Sequence, residues 1–575
     1  MFYESKILSS RRGEHCSSVF ILRRKHMIKV IADGKEFQVE EGTRIVDFIN
    51  SNGISHEMPI LGAIINNMQV NLRHKLMEEC EITFIDYTLE EGVDIYRRSL
   101  LFLFIKVCEE FYPEANVMVE HSINQGVFCE LKNCPQIINE EMRRKIDNRM
   151  RELVSQKIPF IKHKVTKEEA KEIYISMEQP DKIGILDTID MEKVTIYSCE
   201  NWCDYLFGYM VPNTGYLSVF ELRLYEGGFL LRHPKKNDFY QLPPYFEQKK
   251  LFNIFSEFKR WNRILDVENV SMLNKIVKDG DIDTYIRISE ALQEKKYAQI
   301  ADNIKSDRDK KIILIAGPSS SGKTTSSHRL GIQLRVNGIV PVTIALDDYF
   351  VNRDRTPIDE NGKPDFESLY AIDLDLYNEH LTNLLKGEEV EIPKFNFVTG
   401  SREKSGRKVK LLDNQVLIFE GIHALNEKMT ESISKDNKYK IYVSALTSIN
   451  IDDHNAIRTT EARMLRRMVR DFQFRGSSPE RTLELWPSVR RGEDKNIFPF
   501  QEEADEMFNS AMIYELGVLK PYAEPLLKQI TSDSIYYSQA KKLLNFLQYF
   551  EPIKSDAIPN NSIIREFIGG SCFEL

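Results

Sequence analysis

The feature that most restricts how this chain can fold is a strand, a glycine loop and a helix in direct succession. Lys311 opens an unbroken apolar run, KIILIA. The octapeptide Gly317-Pro318-Ser319-Ser320-Ser321-Gly322-Lys323-Thr324 follows it and matches GxxxxGK[ST] at every fixed position. Then TSSHRLGIQLRV, from Thr325, carries helical spacing. The glycines let the backbone curl so that successive N–H groups and the helix N-terminus face an anion, while Lys323 adds positive charge for β and γ phosphates. Thr324 is placed to hold Mg2+. Three further buried-type runs, PVTIAL, QVLIFE and KIYVSA, alternate with helical stretches, which predicts a parallel sheet covered on both faces.

Binding phosphates does not separate a kinase from an ATPase, so the acids at the neighbouring strand ends matter. PVTIAL runs into Asp347-Asp348-Tyr349-Phe350. A carboxylate there could accept or orient the proton of an attacking hydroxyl, and it could equally be a turn or cap carboxylate. Glu420 ends QVLIFE, where it could reach Mg2+ directly or through water, or be a plain strand-end acid. Nine arginines, no lysine and four acids lie between Arg458 and Arg491. Arginine without lysine favours planar, bidentate contacts to phosphate or carboxylate over a merely solvated surface.

A chain of 575 residues exceeds one ordinary domain. The N-terminal extension 1–26 carries six Lys/Arg and two Glu without the apolar core of a secretory signal, and is expected to be disordered. Residues 27–88 read as a small β-rich module, with Asp33-Gly34 as a hairpin turn. Residues 89–237 read as an α+β domain, 238–306 as a helical connector, 307–550 as the domain of the glycine loop and 551–575 as a C-terminal tail. The longest uncharged apolar run, Ser99 to Ile105, is far short of a bilayer span, so no membrane partner is expected. Eight scattered cysteines fit reduced thiols and a cytoplasmic location. Cys199 and Cys203, four apart, could share a helix face, and no metal is assigned to them. A net charge of -9 argues against indiscriminate nucleic-acid binding.

GPSSSGKTT, LDDYF, IPKFNFVTGSR, LIFEGIHAL and RRMVRDFQFRG, in this order over about 311–545, resemble the uridine/cytidine kinase and phosphoribulokinase group of P-loop kinases. The resemblance implies a three-layer α/β/α P-loop NTPase with an arginine-bearing lid. It implies Asp347 as catalytic base, acting with Lys323 and the phosphate-binding Arg467, Arg470 and Arg475. Gly317 to Thr325 would hold the ATP phosphates, with Thr324 and Glu420 at Mg2+. Tyr349, Glu367, Phe395, Phe397 and Arg402 would line the acceptor. Departures from the family pattern fall on that acceptor side. Glu367 stands in place of an Asp that holds ribose hydroxyls, Phe395 replaces a tyrosine and Gly400 replaces a histidine, and the last two changes remove groups that read a pyrimidine edge.

Residues 28–87 resemble the TGS domain, a β-grasp module. Residues 89–237 resemble the second N-terminal domain of threonyl-tRNA synthetases through EEGVDIYRRSLLFLF, INQGVFCEL and the VPN of GYMVPNTGYLSVFELRL. In the synthetases that domain edits mischarged tRNA through an HxxxH pair and a later Cys and His. The corresponding positions here are Arg98, Phe102, Leu206 and Met210. Apolar groups neither ligate a metal nor shuttle protons, so no editing activity is expected. The whole order resembles bacterial nucleoside kinase or uridine kinase family proteins. It implies a multidomain α/β kinase that uses ATP and Mg2+ to phosphorylate a nucleoside 5'-hydroxyl. Two alternatives stay open: another small alcohol, as for phosphoribulokinase or pantothenate kinase, and a nucleotide-gated RNA-binding regulator. RNA binding finds no support in composition, and the oligomeric state is not set by the sequence.

Overall fold

The computed structural model describes residues 26–574 except Arg308, Glu360, Asn361, Phe397, Ser432 and Ser448. All but the last residue of the expected N-terminal extension thus lies outside the described residues. Strands Met27–Ala32 and Lys35–Glu40 pair antiparallel through a turn in which Asp33 (φ 48°) and Gly34 (φ 73°) are both left-handed, the geometry an Asp-Gly pair favours. The first strand also runs parallel to Cys80–Asp86 in a five-stranded sheet, and helix Ile45–Ser51 buries Ile45 and Phe48. This is a β-grasp arrangement.

The second domain is built on helix Glu90–Phe111, in which every residue from Ser99 to Cys108 is buried. An antiparallel four-stranded sheet packs against it, in the order Glu221–Tyr225, Gly228–Arg232, Gly126–Lys132, Asn116–Ile123. Phe102 sits edge-on to Phe160 and Trp202, with ring centres 5.4 Å and 4.7 Å away. Leu206 and Met210 are buried in the same core, and Arg98 Nη1 donates to the Tyr209 carbonyl at 2.7 Å. Cys199 and Cys203 share no helix: they lie on adjacent antiparallel strands, where Cys203 pairs with Ser198. Their four-residue spacing marks a tight hairpin rather than a helical turn.

In the C-terminal domain five strands run parallel, in the order Val340–Ala345, Gln415–Glu420, Ile312–Ala316, Lys438–Ser444, Glu506–Asn509. Both faces are covered, which is why the strands read as continuous apolar runs. Ile313 and Ile315 face helices Lys323–Val336 and Ile282–Ser306 through Leu330, Leu334, Tyr297 and Ile304. Ile312, Leu314 and Ala316 face Leu251, Ile254 and Phe258 of helix Lys249–Leu265 and Leu381 of Leu374–Leu385. The expected connector therefore supplies an outer layer to each side of the sheet rather than spanning a gap. Arg329, buried on the phosphate-loop helix, fastens one of these layers by donating to Glu290 at 3.1 Å and Glu294 at 2.8 Å. The last segment is likewise no free tail: Ile553, Ile558, Ile563, Ile564, Phe567 and Ile568 are buried in the same core. No helix among the described residues is long and apolar enough to cross a membrane.

The two halves meet at the small hairpin Asn450–Asp452 and Asn455–Ala456. Asn450 Nδ2 donates to the Val119 carbonyl at 2.8 Å, and the Val119 N–H donates to the Asp453 carbonyl at 2.8 Å. Behind it Asp204, with no exposed surface, pairs with Lys182 and, at 2.7 Å, with His454. Burial opposes ionisation of Asp204, but Lys182 and His454 hold its carboxyl down at about 2. Removing this carboxylate takes from two buried groups their nearest counter-charge. Asp204→Ala is expected to cost about 3 kcal/mol of stability, by analogy with other broken buried pairs. The urea unfolding midpoint measures it, and a change near zero would show that the cluster does not hold the halves together.

Candidate active site

The phosphate loop leaves strand Ile312–Ala316 and enters helix Lys323–Val336 through left-handed residues Ser320 (φ 59°) and Gly322 (φ 81°). A Cβ at Gly317 would lie 1.9 Å from the Val443 carbonyl oxygen, so only glycine lets the loop press against the neighbouring strand. Ser320 and Ser321 are buried, and their hydroxyls have no hydrogen-bond partner among the described residues. Orphaned hydroxyls inside a curled loop fit an anion. Lys323 Nζ donates to the Pro318 carbonyl at 3.3 Å, and Thr324 Oγ1 donates to Glu420 Oε1 at 3.0 Å. A hydroxyl and a carboxylate converging in this way suit a hard cation that takes oxygen ligands. Thr325 directs both its N–H and its hydroxyl at Glu566.

Parallel pairing sets Ala345 level with Glu420 and Glu420 level with Ile315, which brings Asp347, Glu420 and the loop to one edge of the sheet. Three carboxyls there share the field of Lys323. Burial raises Glu420 to about 7, with the Asp347 charge adding and Lys323 opposing. Burial likewise raises Glu367 to about 7 against Arg467 and Lys323. Asp347 is raised by burial and drawn back by Lys323, Arg475 and Arg470.

The arginine patch lies on helices Thr459–Arg475 and Pro479–Asn496 and divides by role. Arg467 Nη1 donates to Ser319 Oγ at 2.7 Å. Arg467, Arg470 and Arg475 share the single carboxylate of Asp471, at 3.2, 2.8 and 3.7 Å, which leaves net positive charge facing Asp347. Arg463 and Arg466 are instead buried beneath the loop, paired with Glu493 and Glu515. Glu493 escaped the sequence reading because the patch as counted stops at Arg491. It has no exposed surface, accepts the Ser319 N–H at 3.1 Å and takes a second arginine, Arg490, at 2.8 Å. Its spacing of three residues from Arg490 inside an arginine-rich helix was the available signal.

Of the expected acceptor residues among those described, only Glu367 joins this cluster. Tyr349 is buried in the core, its hydroxyl 3.1 Å from His380 Nδ1 and its ring edge-on to Tyr377. The reason is local: residues Leu346–Tyr349 form a 3-10 turn, in which side chains three apart eclipse, so Tyr349 follows Leu346 inward. Phe395 is buried against Phe350 at 5.6 Å, its N–H donating to Asp348 Oδ1 at 3.2 Å. Arg402 donates to Asp373 at 2.8 Å. Phe397 lies outside the described residues.

Residues 312–514 match the model of the family described as Phosphoribulokinase / Uridine kinase family. The carboxyl-terminal region carries a domain of that type. Among solved structures the chain is similar to one described as a possible uridine kinase from Bacillus stearothermophilus (19% identity, 35% of this chain and 89% of that one, TM-score 0.24). It is also similar to a D-glycerate 3-kinase from Cryptococcus neoformans (13%, 46% and 89%, TM-score 0.22). The amino-terminal part matches threonine–tRNA ligases. That of Clostridium kluyveri is 24% identical over 205 residues, covering 35% of this chain and 32% of the relative. That of Rubrobacter xylanophilus is 28% identical over 199 residues, covering 35% and 31%. The chain thus spans about a third of the length of these relatives.

The raised Glu420 carboxyl has a consequence for stability. Between the ordinary value of 4.5 and about 7 the folded chain holds a proton that the unfolded chain has released. Stability therefore falls as pH rises through that window and stays lowered above it. Glu420→Gln keeps an acceptor for Thr324 but cannot ionise. Without nucleotide its thermal midpoint is expected to exceed that of the parent at pH 8, with no advantage at pH 4.5; a lower midpoint at pH 8 would show that the Glu420 charge is stabilised where it stands.

Proposed function

We propose that the protein is an ATP- and Mg2+-dependent kinase that moves the γ-phosphoryl group of ATP to a nucleoside 5'-hydroxyl. The observation that carries this reading is the placement of Asp347, at a strand end beside the phosphate loop, in the shared field of Lys323, Arg470 and Arg475. The family match over residues 312–514 supports it.

In this reading the loop amides and Lys323 hold the phosphates, and Thr324 and Glu420 hold the cation, which when bound neutralises charge on the β and γ oxygens. Asp347 accepts or orients the proton of the acceptor hydroxyl, helped by a proton affinity raised above that of a free aspartate. Arg467, Arg470 and Arg475 balance the negative charge of the moving group. Glu367 accepts hydrogen bonds from a vicinal diol. Glu493 acts on no substrate: it ties Ser319 to Arg463 and keeps the loop in register with the lid.

One feature favours a second reading, an alcohol without a pyrimidine. The Arg353 side chain fills the space next to Gly400, its Nε 2.8 Å from where a Cβ there would stand, in place of a base-reading histidine. A panel of nucleosides and sugar phosphates incubated with ATP and Mg2+ tests both readings. A nucleoside monophosphate is the expected product; phosphate release with no phosphorylated acceptor would defeat the kinase reading. Lys323→Ala and Asp347→Asn are each expected to lower kcat/KM by about 100-fold or more while leaving the thermal midpoint near that of the parent. Undiminished turnover of either variant would remove that residue from the mechanism.

A further inference from the structure

The first turn of the phosphate-loop helix already has an anion on it. Thr325 is fully buried, its Oγ1 donates to Glu566 Oε2 at 2.7 Å, and its N–H points at the same oxygen at 3.3 Å. Glu566 belongs to the short helix Arg565–Ile568, more than two hundred residues away in sequence. Its charge is felt at Glu420, so it stands inside the site's electrostatic field. Backbone N–H groups at this point of a GxxxxGK[ST] loop are donors to the α and β phosphates of a bound nucleotide. A carboxylate and a phosphate oxygen cannot both take the same N–H, and two like charges at that separation repel.

The surrounding segment is built to hold the carboxylate there and to let it go. On one side Ile563 reaches the loop, its Cγ2 2.7 Å from where a Cβ on Gly322 would stand. On the other, the Phe573 ring stacks on His328, one residue triplet along the same helix from Thr325, with ring centres 5.1 Å apart and planes at 8°. Between Glu566 and Phe573 the chain turns through Gly569 (φ 89°) and Gly570 (φ 75°). Ile563, Ile564, Phe567 and Ile568 are buried and anchor the segment, whereas Ser571, Cys572 and Phe573 lie outside the core. The carboxylate arm sits on the anchored side of the glycine pair and leaves Thr325 by rotating about its own side-chain bonds, while the last residues swing about the glycines.

We propose that residues 563–573 form a strap that competes with the nucleotide for the phosphate loop, with the Glu566 carboxylate seated on the α-phosphate donors of Thr325. ATP binds by displacing that arm, so the strap lowers the apparent affinity by the fraction of molecules in which it is closed. The proposal rests on the nucleotide-binding reading above, and its test separates the two.

ATP binding to the full-length protein is measured by calorimetry for the parent, for Glu566→Gln, which keeps the shape and removes the charge, for Phe573→Ala, which frees the last residues and leaves the carboxylate in place, and for Lys323→Ala. Glu566→Gln is expected to lower the Kd for ATP about tenfold and Phe573→Ala to leave it within about twofold, with binding abolished by Lys323→Ala. Amide hydrogen exchange of residues 566–573 in the parent protein is expected to rise on adding ATP. If Glu566→Gln binds ATP equally or more weakly while binding still depends on Lys323, the strap is refuted and the nucleotide site stands. If neither protein binds ATP in a Lys323-dependent way, both fall. Should Glu566→Gln fail to fold, exchange in the parent decides: unchanged or slower exchange with ATP overturns the strap.

Discussion

The register of five parallel strands is the constraint on which the rest of this molecule depends. Because Ala345 and Ile315 are each level with Glu420, the loop at Gly317, the acid at Asp347 and the acid at Glu420 arise from one row of strand ends without any side chain having to reach far. Sheets buried on both faces tolerate little slippage, since a shift of one residue would exchange the two apolar faces. The cores on either side of Ile312–Ala316 therefore hold the chemistry in place as well as the fold.

Charge at the site is managed in two tiers. Arg463 and Arg466 are spent on the buried carboxylates Glu493 and Glu515, and they steady the loop by donating to its carbonyls at Ser319 and Ser320. Arg467, Arg470 and Arg475 divide one carboxylate, Asp471, among three guanidinium groups and so present net positive charge to the opening. A buried pair of the first kind is costly to break and adds rigidity. A cluster of guanidinium groups of the second kind suits contacts to an anion.

The synthetase-like half is joined to the lid as well as to the sheet. Arg458, the residue that begins the lid helix, pairs with Asp94 on the long helix of the second domain, and Lys542 bridges Asp94 and Glu461 at 3.4 and 2.9 Å. The hairpin Asn450–Ala456 that lodges against the second domain immediately precedes that lid helix. In that second domain the buried Phe102, Leu206 and Met210 close the interior with apolar packing.

Much of this was legible in the linear chain. The loop octapeptide, the four apolar strands and the Asp-Gly hairpin state their own local geometry, because glycine backbone freedom and buried-strand composition act over a few residues. Asp347, Glu420 and the lid arginines could be picked out for the same reason, being strand-end or helix-borne groups next to recognisable elements. What stayed hidden depends on direction and on partners far away. Tyr349 and Phe350 are adjacent, and only the 3-10 turn decides that the tyrosine goes into the core. Glu493 and Glu566 look like ordinary acids until the fold sets one beneath Ser319 and the other on Thr325. Residues 238–306 read as a helical connector and 551–575 as a tail, and the fold gives each a buried apolar face. Sequence alone determined which short segments could bind phosphate; tertiary structure alone decided which carboxylates meet them, since a contact spanning two hundred residues leaves no periodic mark on either segment.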